Sequence, residues 1–180
     1  MPLWMKSSME DRIINGIEAP EPVPWQVSLR RTQNGLVWPW SMGMHYCGGI
    51  ILDSTTILTA AHCIDVGEKL QEEEQFAIIA GASNQYWNPS QKVQLREVSK
   101  YAIHENWQKS NLSNDIAVLK LKDPLVFDKN VQSACLPPSP NECFNEVKSN
   151  LDGKLGIASG WGVAIAENGK PMNPSKYLHK

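Results

Sequence analysis

His62 and Asp115 are the residues whose types suit proton transfer. An imidazole titrates near neutrality and can accept a proton from a hydroxyl. A carboxylate bonded to its other nitrogen fixes the tautomer and stabilises the imidazolium that forms. His62 stands in Thr59-Ala60-Ala61-His62-Cys63, and Asp115 opens the run Asn114-Asp115-Ile116-Ala117-Val118-Leu119-Lys120-Leu121. Taken singly, each has plainer readings. His62 beside Cys63 could be a packed imidazole or a metal ligand, and an aspartate before an apolar strand is commonly a turn or cap residue. The two lie far apart in sequence, so only a fold that joins their loops could make them act together, and spacing alone does not show such a fold.

The elements available to position them are short β-like runs punctuated by Gly, Pro and Asn. Trp25 to Leu29 alternates apolar and polar residues, as a half-buried strand does. Gly49 to Leu52 and Thr56 to Thr59 flank a predicted turn at Asp53-Ser54. Further strands are predicted over Gln75 to Ala80, Lys92 to Ile103 and Ile116 to Leu121, and the best local helix is one turn around Ala60 to Cys63. This pattern predicts an all-β sandwich or barrel. Surface loops are expected over Asn34 to Met44 and Gly67 to Glu74. Glu72-Glu73-Glu74 reads as a solvated face in preference to a calcium loop, because adjacent side chains diverge. Pro137-Pro138-Ser139-Pro140 cannot join a sheet interior and marks a connector.

Composition narrows the classes. Of 180 residues, 42% are hydrophobic and 20% charged, a globular balance, and a net charge of -2 without basic runs argues against nucleic acid. Apolar stretches such as Ala77 to Ala80 are too short for a helical membrane span. The first twelve residues do not read as a signal peptide. Cys47, Cys63, Cys135 and Cys143 contain no Cys-x-x-Cys pair and read as disulfide formers, so the predicted metal content is none. Asn111-Leu112-Ser113 fits the glycosylation acceptor pattern of an exported protein.

Six ordered blocks resemble the trypsin/chymotrypsin family of serine proteases. Arg12-Ile13-Ile14-Asn15-Gly16 is similar to the family's activation site, and Pro24-Trp25-Gln26-Val27-Ser28-Leu29 to its first barrel strand. Cys47-Gly48-Gly49 with Leu58-Thr59-Ala60-Ala61-His62-Cys63 is similar to the block of the triad histidine, and Asn114-Asp115-Ile116-Ala117 to that of the triad aspartate. Ala134-Cys135-Leu136-Pro137 and Ser159-Gly160-Trp161-Gly162 follow in family order. The resemblance implies an all-β, trypsin-like antiparallel β-barrel, with a propeptide-like segment over 1–12, a complete first barrel over 13–135, and a connector with the start of a second barrel over 136–180. It implies that His62 is the general base and Asp115 its orienting partner, and that Cys47 and Cys63 form a disulfide. Closing such a loop would add about 3 kcal/mol. It further implies cleavage between Arg12 and Ile13 by an arginine-specific protease, protein or peptide substrates, no cofactor, and secretion. Trp25, Trp107 and Trp161 are expected to pack, His104 to be structural, and His45 to lie near the barrel rim, where it could face substrate.

The pattern then breaks. No Gly-Asp-Ser-Gly-Gly block occurs in these 180 residues, and neither Ser159 nor Ser175 has a setting that supplies oxyanion-hole amides. The expectation is a serine endopeptidase by family whose chain, as it stands, is inactive. The alternative is a non-catalytic homologue that binds or regulates. Cys135 and Cys143 either pair with each other or, the favoured expectation, await partners elsewhere.

Overall fold

The computed structural model describes residues 19, 22–31, 45–65, 76–84, 92–136, 153, 156–165 and 171–174. Arg12, Ile13, Asn34 to Met44, Gly67 to Glu74, Pro137 to Pro140, Cys143 and Ser175 lie outside the described residues.

The described residues form eight strands: β1 (Gln26–Arg31), β2 (His45–Asp53), β3 (Thr56–Thr59), β4 (Phe76–Ala80), β5 (Gln94–Ile103), β6 (Ala117–Leu121), β7 (Val163–Ile165) and β8 (Pro171–Pro174). The first six close a barrel in the order β1-β2-β3-β6-β5-β4, every pair antiparallel, with β1 bonded to both β2 and β4. Strands β7 and β8 pair separately. The expected all-β barrel is therefore the observed one. Most expected strands match within a few residues. Strand β2 is longer than expected, beginning at His45, because the Cys47-Gly48-Gly49 run continues the ladder to β1.

Period-two alternation fills the barrel. Val27 and Leu29 of β1, Ile51 of β2, Ile57 of β3, Ala117, Leu119 and Leu121 of β6, and Val98 of β5 belong to one buried cluster with Phe76 and Ile78 of β4. The β2–β3 hairpin turns at Asp53, whose carboxylate accepts bonds from the Thr55 N–H (2.8 Å) and the Thr56 hydroxyl (2.7 Å). The Thr56 hydroxyl is the main cause that holds this carboxyl well below its usual range, as expected of a turn aspartate. Barrel closure also needs close backbone approach at Gly49. A Cβ there would meet Ile57 Cγ2 and Val27 Cγ2 at 2.9 Å and the Leu58 carbonyl at 3.1 Å. By contrast, a Cβ on Gly160 or Gly162 meets nothing within 4 Å among the described residues.

Strand β4 is buried on both faces, which explains its unbroken apolar sequence. Its outward Ile79 joins a second cluster with Ala19, Ala82 and Trp161. Trp161 also donates its indole N–H to the Ser83 carbonyl (3.2 Å) and meets the His45 ring edge-on at 5.1 Å between centroids. Nearby, Ser159 donates to Gln26 Oε1 (2.8 Å), and the Ser28 hydroxyl bonds His45 Nδ1 (2.7 Å). The Ser-Gly-Trp-Gly stretch thus covers the outer face of β1 and β4. Trp161 packs as expected. Trp25 does not, being 44% exposed. Alternation placed it inside with Val27 and Leu29, but it sits in the turn closed by Gln26 N–H on Val23 (2.9 Å), before the ladder begins.

Two stability predictions follow from this packing. Gly49→Ala should lower the stability by about 1–3 kcal/mol, overpacking outweighing the gain of replacing a strand glycine, read as a lower urea midpoint. His45 titrates near pH 4, because burial and then the Arg30 charge disfavour its protonated form. Its folded pKa lies below the ordinary value of 6.5, so between these the unfolded chain binds the proton more readily. Stability should be flat above pH 6.5 on this account and fall by about 3 kcal/mol towards pH 4. Urea midpoints measured across that range should lose this slope in His45→Gln.

Candidate active site

The pairing of β3 with β6 builds the site. Their register runs from Thr56 with Lys120 to Thr59 with Ala117. Because the strands are antiparallel, the residues after Thr59 and those before Ala117 leave the barrel at the same end. Continued past its last pair, the register brings Ala61 and His62 beside Asp115. The chain after Thr59 turns through a single 3₁₀ turn, Ala61–Cys63, entered by an extended Ala60. Two links hold it to β2. The Thr59 hydroxyl donates to the Gly48 carbonyl (2.8 Å), and Cys63 is disulfide-bonded to Cys47.

On the other side, Asn114 adopts a left-handed conformation (φ 57°) that asparagine tolerates better than most residues. Its side-chain amide donates to the Asn106 carbonyl (2.8 Å), and its own carbonyl accepts the Ile116 N–H (2.8 Å). These bonds set the orientation from which Asp115 departs.

The Asp115 carboxylate bridges back to the 3₁₀ turn. Oδ1 accepts the His62 backbone N–H at 2.8 Å, and Oδ2 lies 2.7 Å from His62 Nδ1. A carboxylate only accepts, so Nδ1 carries the proton and the lone pair is left at Nε2. Desolvation pushes the Asp115 pKa up. Bonds from the His62 backbone and ring, the His62 charge and the Ala61 N–H outweigh it, so the pKa is lowered and the group stays ionised. The His62 side chain is 52% exposed, so solvent and substrate can reach the ring. Its Nε2 lies 3.6 Å from Cys63 Sγ, a disulfide sulfur with no proton to give.

The metal-ligand reading of His62 ends there. Cys47, Cys63 and His62 lie close enough to suggest a ligand trio, but their two sulfurs are bonded to each other and are not thiolates. His45 does not face open substrate space, since it is held between Ser28 and Trp161. His104 closes the end of β5, accepting the Asn106 N–H at Nδ1 (3.1 Å) while its own N–H bonds the Ile116 carbonyl (3.0 Å). Asn111 is exposed, with Oδ1 accepting the Ser113 N–H (3.0 Å). Cys135 is an exposed free thiol, and Cys143, the other cysteine expected to await a partner elsewhere, lies outside the described residues. The Ala61 N–H was not foreseen as a carboxylate donor. A backbone group leaves no mark in residue type, and only the β3–β6 register could have revealed it.

The family model described as Trypsin matches residues 13–178. Hypodermin-A of Hypoderma lineatum is 34% identical over 166 residues, covering 92% of this chain and 54% of that protein. Chymotrypsin of Phaedon cochleariae is 32% identical over 152 residues, covering 84% of this chain and 48% of its own length. The chain spans about half the length of these curated relatives. A match that runs through nearly all of the barrel and both loops of the His62–Asp115 pair places this chain in the trypsin family of serine proteases.

Proposed function

We propose that His62 and Asp115 are the general base and the orienting carboxylate of a secreted serine endopeptidase. The observation that carries this reading is the double contact of one carboxylate with the backbone and ring of one histidine. With Nδ1–H held by Asp115, Nε2 takes the proton of an attacking serine hydroxyl, and the carboxylate stabilises the resulting imidazolium. The ring then returns the proton to the leaving amine. The serine and the oxyanion-hole donors are not supplied by these 180 residues. On this reading the chain alone does not hydrolyse peptides. Residues 13–135 form the first barrel, residues 136–180 lead into the second, and Asn111 is a glycosylation acceptor on an exposed loop.

A chimera tests the assignment. Residues 1–162 would be joined to the downstream part of Hypodermin-A and cleaved after Arg12. The product should hydrolyse labelled casein. Asp115→Asn should reduce the rate by about four orders of magnitude, the loss known for the same change in an enzyme of this family, and His62→Ala should be at least as severe. Variants as active as the parent would overturn the assignment. A folded, cleaved chimera without any turnover supports the second reading, a non-catalytic homologue that binds protein partners.

Activation by an arginine-specific protease makes a separate prediction. Limited digestion with trypsin should give, as its first product, a fragment whose N-terminal sequence is Ile-Ile-Asn-Gly. First cutting at another site would count against Arg12–Ile13 as the activation site.

A further inference from the structure

Beside the His62–Asp115 contact, the same two loops are joined a second time. Just past the 3₁₀ turn carrying His62 comes Asp65, whose N–H bonds the Ala61 carbonyl (2.9 Å). The Asp65 carboxylate then receives the Trp107 indole N–H at 2.8 Å. Lys109 reaches the Asp65 carbonyl at 3.2 Å and carboxylate Oδ1 at 3.4 Å. Trp107 and Lys109 belong to the loop that leads to Asp115. That loop is braced internally by Trp107 N–H on the His104 carbonyl (2.9 Å), Gln108 N–H on the Ser113 carbonyl (3.0 Å) and Asn114 on Asn106.

We propose that Asp65, Trp107 and Lys109 form a clamp that positions His62 against Asp115. They are positioning residues that act through the two loops, and the proposal rests on the reading of that pair as the catalytic dyad. The indole bond dominates. It is a charge-assisted bond between partly buried groups, whereas the Lys109 side chain is half exposed and its ion pair is long. Besides the β3–β6 ladder and the clamp, the two loops are joined at the Asp115 carboxylate by the His62 ring and the His62 and Ala61 N–H groups. Without the clamp, those bonds open whenever either loop shifts.

The test uses proton NMR of the 180-residue chain, reading the low-field His62 Nδ1–H signal and its exchange with solvent. Losing a hydrogen bond to a charged group should raise the open population, and so the exchange rate, by about tenfold or more in Trp107→Phe. Asp65→Ala should do the same without removing the indole, so the outcome does not hang on how Trp107→Phe folds. Asp65→Asn, still able to accept from the indole, should change less. Urea midpoints control for general loosening. Unchanged exchange in both Trp107→Phe and Asp65→Ala would overturn the clamp. Asp115→Asn separates the two ideas. If it leaves the signal unmoved, the dyad reading fails; if it moves the signal and the clamp variants do not, the clamp alone fails.

Discussion

Antiparallel pairing of β3 with β6 is the constraint from which the site follows. A ladder fixed from Thr56–Lys120 to Thr59–Ala117 leaves no freedom in where its two chains emerge. A one-residue slip would turn Ile57 and Leu119 out of the barrel and would equally part Ala61 from Asp115. Burial of apolar side chains and alignment of the polar pair are thus enforced by the same register. The links to β2 matter for the same reason. The Cys47–Cys63 bond and the Thr59–Gly48 contact fix the far side of the histidine turn, while Gly49 lets β2 approach β3 and β1 closely enough for closure.

The outer face of the barrel shows a second dependence. Strands β1 and β4 lie side by side, with Ser28 opposite Ile79. Both residues point away from the interior, yet both are buried, because His45 and Trp161 lie over this face. The polar members each have a bond there: Ser28 with His45, and Gln26 with Ser159. That is the condition on which outward polar residues can be buried at little cost. The indole meets the imidazole edge to face, and burial of that ring, then the Arg30 charge, disfavours its protonated form. A residue near the end of the described chain thus packs against one at the start of β2.

Much of this was legible in the sequence. Alternation located β1, β-rich runs between turn formers located most of the other strands, and Ala60 to Cys63 read as a single helical turn, which the structure has at Ala61–Cys63. Asp53-Ser54 marked the hairpin because a short carboxylate bonds the backbone after it. Failures occurred where the environment is not periodic. Trp25 continued the apolar alternation on paper, but the ladder begins one residue later and the ring stays outside. His45, read as a rim residue that could face substrate, does start β2, but nothing local announces that Trp161 packs against its ring. The meeting of His62 with Asp115 was implied by family blocks, and chain physics alone could not give it. It depends on pairing between segments distant in sequence, which composition and spacing do not encode.

The dyad is complete in a way that the proposed reaction is not. All the bonds that hold Asp115 ionised come from Ala61 and His62, and the clamp at Asp65 and Trp107 lies on the same two loops. None of them requires a nucleophile to be present. A barrel of this family can therefore hold the His–Asp geometry whole before any serine reaches it, so the pair is preformed and not assembled by the nucleophile. The chemistry then turns on Nε2. A serine there must come within about 2.6–3.2 Å for proton transfer, and backbone donors must face the oxygen it attacks. The barrel prepares one half of that arrangement by strand register, and catalysis depends on whether other sequence delivers the second half to the same nitrogen.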